Sequence, residues 1–247
     1  MSNSYPVLER MVQKLSTRAR LDTDDRQAIL ALPFVERSYH ATTYVVREGD
    51  APRRYCDFIS EGFAFRQKLT ANGGRQIVSV HLAGDFIDLQ HLFLNIADHS
   101  VQALTELKVV GVERKALQRI ALDRPAIGSA LWIDALVDSS IYREWVMNIG
   151  RRDARARIAH LLCEVSVRMR AADLISEEKF ELPLTQEQLA DAVGLTPVHV
   201  NRTLKSLVDD GVVYRDKRYI SFTDWGAIVG IAGFNPLYLH LDQTRGA

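Results

Sequence analysis

The side chains best suited to binding chemistry in this sequence lie between Val198 and Lys205. Arg202 can donate two hydrogen bonds to O6 and N7 of guanine, and Asn201 can pair in a similar way with adenine. Lys205, one helical turn beyond Asn201, is better placed for a phosphate. These contacts require a rigid helix that holds the side chains on one face, so the flanking residues decide whether the chemistry is possible.

The flanking residues predict two short helices joined by a tight turn. Thr185 and Gln188 have the spacing of a capping box, which begins the first helix. Gly194 supplies the positive φ that a turn after a helix requires. Thr196 is the next N-cap, and Pro197 occupies the first helical position. Two helices with this connection are the signature of a helix-turn-helix, whose second helix enters the major groove of DNA.

The outer face of the second helix is therefore predicted to contact DNA. The predicted contact residues of the two helices are Thr185, Thr196, Val198, His199, Asn201, Arg202 and Lys205. After Gly211, the runs VVY and YISF predict a β-hairpin, or wing, whose Arg215, Lys217 and Arg218 suit phosphate. The competing interpretations are a solvated helix face and ordinary solubilising charge on the hairpin.

Charge balance gives this prediction no support. The chain has 31 Lys and Arg against 31 Asp and Glu, whereas nucleic-acid binders usually carry a basic excess. Its 247 residues, 47% of them hydrophobic, suit one large domain or two modest ones. No apolar run approaches the roughly 20 residues that cross a bilayer, and the N-terminus has no signal-peptide pattern. We therefore expect a cytoplasmic protein with no membrane partner.

The elements upstream predict how the helix-turn-helix is carried. Residues 6–33 suggest helical pieces, one of them capped by Asp22. Short β-rich runs alternate with turns from Tyr39 to Val112, which indicates an all-β sandwich or barrel. The runs are TTYVV, YCDFI, FAFRQKL, RQIVSVHL, VQALTEL and VVGVE.

A long helix is predicted from Pro125 to about Ile149, before Gly150, with another over residues 151–171 and a polar loop over 171–180. The first half of the long helix is apolar on more than one side. Either a partner copy of the same helix or the protein's own core could cover the second side.

Taken together, REGD (Arg47–Asp50), Gly62, GDFI (Gly84–Ile87) and the segment Leu184–Thr223 resemble the Crp/Fnr family of bacterial transcription regulators. The resemblance covers nearly all of the chain. It implies an α+β fold: an N-terminal double-stranded β-helix (jelly-roll) over residues 1–124, a dimerisation helix over 125–150 and a winged helix-turn-helix over 151–225. Residues 226–247 are a tail apolar enough to pack back onto the domain. The resemblance further implies a homodimer on a palindromic DNA site and contact with RNA polymerase.

The chain departs from the family at its effector positions. Members that bind cyclic AMP carry a Gly-Glu pair after GDFI and then an Arg-Ser pair; the corresponding positions are Asp88-Leu89 and His99-Ser100. Without the carboxylate and the guanidinium, the ribose and phosphate lose their partners, so we expect no cyclic AMP. The two cysteines, Cys56 and Cys163, cannot supply an iron–sulfur cluster, and we expect them to be buried or idle thiols. Seven histidines leave haem open, although no spacing singles one out.

The recognition helix departs as well. The family places an acidic residue where Val198 stands and keeps Arg at Arg202. We therefore expect a half-site that retains a guanine but differs at the base pair that the acidic residue reads. Two alternatives remain: a DNA-binding regulator without an effector, and a jelly-roll metalloenzyme. The candidate metal ligands would be His81, His91 and His99, with Asp85 or Asp88.

Overall fold

The structure, a computed structural model, describes residues 5–175 and 179–243. Its internal contacts divide the chain into two compact units. The first comprises the described parts of Met1–Arg66, Val80–Ser139 and His240–Ala247; the second comprises Gln67–Ser79 and the described parts of Ser140–Leu239. No helix among the described residues is long and apolar enough to span a membrane.

The N-terminal half of the chain forms two helices followed by two β-sheets. The elements are α1 (Tyr5–Ser16), α2 (Thr23–Leu30), β1 (Phe34–Tyr39), β2 (Tyr44–Val46), β3 (Tyr55–Glu61), β4 (Phe63–Leu69), β5 (Arg75–Leu82), a 3-10 helix (Leu89–Leu92), β6 (Ser100–Ala103) and β7 (Leu107–Glu113). The sheets have the orders β1-β7-β3 and β2-β6-β4-β5. Non-consecutive neighbours in both sheets are typical of a jelly-roll, which confirms the predicted fold class.

Apolar side chains from helices and sheet build the core of the first unit. Met11 and Leu15 of α1 are fully buried together with Phe58 of β3 and Val110 of β7. Asp22 caps α2 by accepting a hydrogen bond from the Asp25 backbone N–H at 2.8 Å, as the sequence predicted. The two helices are thereby fixed against the β-roll.

Three features of the first unit differ from the sequence prediction. Strand β1 was missed because the sequence FVERSY lacks a clean alternation. The strand forms by pairing with β7, where Phe34 lies opposite Val112. The run VQALTEL is not one strand, since the chain bends at residues 104–106 between β6 and β7. A helix that was not predicted, α3 (Arg114–Asp123), precedes the long helix α4 (Pro125–Arg151).

The C-terminal half of the chain is mainly helical. Its elements are α5 (Ala154–Ala171), β8 (Lys179–Glu181), α6 (Gln186–Val193), α7 (Pro197–Asp209), β9 (Val213–Asp216), β10 (Tyr219–Phe222), α8 (Trp225–Ala232) and a 3-10 helix (Pro236–Leu239). Helix α4 continues past Gly150 to Arg151, so the predicted helix 151–171 begins instead at Ala154. Asp153 determines that start by accepting a hydrogen bond from the Ala156 backbone N–H at 2.9 Å.

The wing has three strands, in the order β8-β10-β9, rather than the two predicted. The predicted polar loop over 171–180 is wrong at its end, because Phe180 is a fully buried residue of β8; residues 176–178 lie outside the described part. Phe180 packs against Phe222 of β10, with ring centroids 5.8 Å apart. This long-range contact stabilises a strand too short to be recognised from its own pattern.

The tail packs onto α5, as its apolar composition predicted. The Tyr238 hydroxyl donates a 2.8 Å hydrogen bond to Glu164, a fully buried carboxylate of α5. The Trp145 Nε1–H donates to both carboxylate oxygens of Glu164, at 3.0 and 3.1 Å. Burial raises the pKa of Glu164, while Arg168 opposes the rise. This network joins α4, α5 and the tail within the second unit.

Candidate DNA-binding site

The first helix of the helix-turn-helix begins and ends where its sequence predicts. The Thr185 side chain accepts a hydrogen bond from the Gln188 N–H at 3.2 Å, and Gln188 Oε1 accepts one from the Thr185 N–H at 2.9 Å. Gly194 ends α6 with a φ of 65°, in the left-handed region that favours glycine. The chain can therefore turn at once into α7.

The second helix, α7, separates a buried from an exposed face. The Thr196 side chain caps it by accepting a hydrogen bond from the His199 N–H at 3.3 Å, and Pro197 occupies its first position. Inward-facing Val200, Leu204 and Leu207 are fully or almost fully buried. Their spacing of four and three residues is that of one helix face. The opposite face is consequently open to a ligand.

The exposed face of α7 carries the predicted reading side chains. Asn201, Arg202 and Lys205 are exposed, Val198 is 80% exposed, and His199 is half-buried. The Nε2 amide of Gln186, at the start of α6, donates a 3.3 Å hydrogen bond to Asn201 Oδ1. Gln186 therefore orients the Asn201 side chain and leaves the amide N–H groups of Asn201 available to a base. The sequence prediction missed this constraint.

Arg157 of α5, also missed by the sequence prediction, secures the turn between the two helices. One of its guanidinium nitrogens donates to the Val193 carbonyl at 3.2 Å, and its Nε donates to the Arg152 carbonyl at 2.8 Å. The Val193 carbonyl is at the end of α6, where backbone oxygens lack helical partners. Arg157 thereby fixes the turn against α5. Its only sequence signal was its place in the basic run RRDARAR.

A second arginine of that run contacts the recognition helix directly. Arg155 donates to the Ser206 hydroxyl at 2.8 Å and pairs with Asp210 at 2.5 Å. It lines an open groove between the start of α5 and α7. The other lining residues are Asp153, Ala154, His199, Arg202, Thr203 and Ser206. The groove adjoins the predicted reading face and so widens the surface that DNA could contact.

The wing presents its three basic residues in different ways. Lys217 is exposed at the hairpin tip, with a φ of 54°. Its carbonyl accepts a 3.2 Å hydrogen bond from Nε of Arg215, which is half-buried. Arg218 is exposed and 3.8 Å from the Glu181 carboxylate. Of these three residues, Lys217 is therefore the one whose side chain is most available to a phosphate.

The predicted effector positions lie inside the β-roll, and their polar groups already have protein partners. Asp88 is almost fully buried and pairs with Arg53 at 3.3 Å. His99 is buried beside Asp98 at 2.7 Å, and the Ser100 hydroxyl accepts the Glu48 backbone N–H at 3.0 Å. Leu89 is apolar and packs against the core of the first unit.

A buried charge cluster surrounds Asp88. Asp57, fully buried, pairs with Arg53 at 2.8 Å and with Arg37. Burial would raise the pKa of Asp88, but a hydrogen bond from His91 and the charge of Arg53 hold it below its usual value. For Asp57, burial wins over the attraction of Arg53, and its pKa is raised. Asp88 is therefore the carboxyl of this pair whose ionised form its neighbours favour more.

The histidines of the β-roll are also held by neighbouring groups. His91 stacks on His99 with ring centroids 6.5 Å apart. Burial and the nearby charge of Arg66 lower the pKa of His99. Among the described residues, no group of three or more His, Cys, Asp or Glu side chains could hold a metal ion, so His81, His91, His99, Asp85 and Asp88 do not converge as a metal site. Both cysteines are buried and free, and burial raises the pKa of Cys163 to about 12.

Two family models match this chain. A cyclic nucleotide-binding domain matches residues 36–124, and a Crp-like helix-turn-helix domain matches residues 156–229. The first match lies on the β-roll. The second spans α6, α7 and the wing.

Individual relatives agree with these models. The chain is 31% identical over 222 residues to the transcriptional activator protein FnrL of Cereibacter sphaeroides, covering 87% of each chain. It is 28% identical over 179 residues to a probable transcriptional activator of Rhizobium leguminosarum bv. viciae, covering 72% of this chain and 73% of that protein. The FixK2 structure from Bradyrhizobium japonicum has the same fold, with a TM-score of 0.76 at 23% identity over 83% of this chain and all of that one. The chain belongs to the Crp/Fnr family of DNA-binding transcription regulators.

Proposed function

We propose that this regulator works as a homodimer in the cytoplasm and activates transcription from a palindromic site. The observation that carries the proposal is the exposed face of α7, where Asn201, Arg202 and Lys205 stand on a helix fixed by caps at both its own start and that of α6. Arg202 reads a guanine, and Lys205 and the wing hold phosphates. Activation is proposed because FnrL bears that description.

The surface of α4 supports a dimer. Trp132, Leu136, Arg143, Val146 and Gly150 are exposed, with successive spacings of four, seven, three and four residues. Trp132 is 63% exposed and Val146 73% exposed. A mainly apolar stripe with heptad spacing is the seam of a two-stranded coiled coil. A second copy of α4 would cover this stripe, so the exposed side chains support a partner, rather than the protein's own core, on the second apolar side.

The β-roll is proposed to sense an effector other than cyclic AMP, and to do so without holding an iron–sulfur cluster. Leu89 and His99 offer neither the carboxylate nor the guanidinium that the cyclic nucleotide needs, and the two cysteines are separate and buried. A regulator without an effector is the second version of the proposal. It is supported by Asp88 and Ser100, whose polar groups are satisfied within the protein. Contact with RNA polymerase follows from activation.

Binding-site selection with purified protein, with and without cell extract, tests the proposal. We expect a palindrome whose half-site contains a guanine. Arg202→Ala should lose about 1–3 kcal/mol of binding free energy per half-site and discrimination at that guanine. Fluorescence anisotropy on the selected duplex and on duplexes altered at the guanine measures both effects. A dependence on extract indicates an effector.

Arg119→Ala is the matched control, since it removes one exposed arginine from α3 of the first unit. It should leave affinity and discrimination unchanged. An Arg202→Ala protein with the same site preference as the wild type would contradict the assignment of Arg202. Failure to select any DNA would contradict the proposed mode of binding.

A further inference from the structure

We propose that Val198 reads the methyl group of a thymine in each half-site, close to the guanine that Arg202 reads. The inference rests on the proposed binding of DNA by α7 and adds the identity of a second base pair. It also gives a function to the position at which the chain departs from its family.

The exposure of Val198 is the first observation. At 80%, it is the most exposed of the large hydrophobic side chains that the structure describes. Val200, two residues later on the same helix, is fully buried. Val198 therefore contributes little to the core, and its methyl groups are free to contact a ligand.

The neighbours of Val198 on α7 are the second observation. Asn201 and Arg202 are three and four residues later, so the three side chains share one helix face. A helix rises about 6 Å over four residues, and successive base pairs are about 3.4 Å apart. Val198 should therefore meet a base pair within two steps of the guanine at Arg202.

The chemistry of the major groove selects the base. Valine can neither donate nor accept a hydrogen bond, and the C5 methyl of thymine is the apolar group that an unmodified base pair presents in this groove. An acidic residue at this position would accept a hydrogen bond from cytosine N4. Val198 cannot, and would leave that donor buried without a partner. The β-branched side chain has few rotamers, so little entropy is lost when it makes the contact.

The expected effect is that of burying one methyl group. Such a burial changes an equilibrium constant about fourfold. A palindrome bound by two subunits contains the contact twice, so the combined effect on the dissociation constant is about 15-fold for independent half-sites.

The experiment replaces the thymine by uracil, which removes only the methyl group. In the selected operator, uracil at this position in both half-sites should weaken wild-type binding about 15-fold, measured by fluorescence anisotropy. Uracil at a thymine more than two steps from the guanine should have no effect. For Val198→Ala, the ratio of the dissociation constants of the uracil and thymine operators should be much smaller. Its logarithm should be less than half of the wild-type value. Replacing the base pair by cytosine and guanine should weaken wild-type binding, and 5-methylcytosine should recover part of the loss.

Three results would overturn the inference: a selected half-site without thymine in this window, equal binding to the thymine and uracil operators, or an unchanged thymine preference in Val198→Ala. The uracil comparison uses the wild-type protein, so its outcome is independent of how any variant folds. Selection of a guanine-containing palindrome without methyl dependence refutes the role of Val198 and leaves the proposed function intact. Failure to bind any DNA refutes both.

Discussion

The interior of the β-roll and the outer face of α7 both carry charged side chains, but the charges are stabilised in opposite ways. In the β-roll, Asp57 and Asp88 are buried and paired with arginines. On α7, Arg202 and Lys205 are exposed, and no ion pair holds either one within the part of the chain that the structure describes. A buried charge loses its hydration and needs a protein partner, whereas an exposed charge is solvated by water and remains available to a ligand.

The β-roll cluster contributes to stability, whereas the exposed face of α7 contributes to binding. Substitutions in the β-roll cluster should reduce the free energy of unfolding, because each removes one partner from a network of buried ion pairs. Substitutions on the exposed face of α7 should alter the affinity for DNA and leave unfolding almost unchanged. An exchange of these effects between the two regions would contradict this division.

The largest expected effect is that of Asp57→Ala. The change removes the carboxylate that Arg53 and Arg37 share. Arg53 keeps its pair with Asp88 at 3.3 Å, whereas Arg37 loses its pair with Asp57, so the free energy of unfolding should fall by about 3 kcal/mol, the lower end of the range for a broken buried pair. Urea denaturation followed by circular dichroism measures the loss. Glu61→Ala, which breaks a surface pair with Lys108, is the control and should change stability little. Equal effects of the two substitutions would show that burial does not govern the cluster.

A smaller effect is expected in the pH dependence of Asp88. Because its pKa is lower when folded than when unfolded, its ionised form stabilises the fold fully above about pH 4 and loses that contribution as the pH falls through the folded-state pKa. The difference in unfolding free energy between wild type and Asp88→Asn should shrink below pH 4, by at most about 1.4 kcal/mol per pH unit. Urea titrations at pH values from about 2.5 to about 6 measure the difference. This range spans the ordinary pKa of an aspartate side chain.

Asp123→Asn is the control for this measurement, since Asp123 is exposed at the end of α3. Its unfolding curve should follow the wild type at every pH. A constant difference between wild type and Asp88→Asn down to the acid limit would contradict a lowered pKa at Asp88.

The smallest effect is expected for Lys205→Ala. If Lys205 contacts a phosphate, the substitution should weaken binding to all DNA sequences alike and reduce the slope of log affinity against log salt by about 1 per half-site. Thermal unfolding should be unchanged. Lys115→Ala, on the exposed surface of α3, is the matched control. A change in base preference would instead make Lys205 a reader of bases.

Sequence reasoning succeeded where the determinants are local. The capping box at Thr185, the glycine at Gly194 and the Thr196-Pro197 start each act on backbone within a few residues, and the structure confirms all three. It failed at β1, whose sequence FVERSY lacks a clean alternation, and at β8, which has only three residues, because pairing with neighbouring strands stabilises both. The individual DNA contacts stay predictions.

The recognition helix was therefore determined by the sequence itself, because caps, turns and helical periodicity need no distant partner. Only the tertiary structure decided that Arg157 secures the turn, that Arg155 lines the groove beside α7, and that Asp88 is paired with Arg53 instead of open to an effector. Those outcomes depend on side chains separated by tens of residues. These groups meet only after folding, and at Asp88 burial then requires an ionic partner.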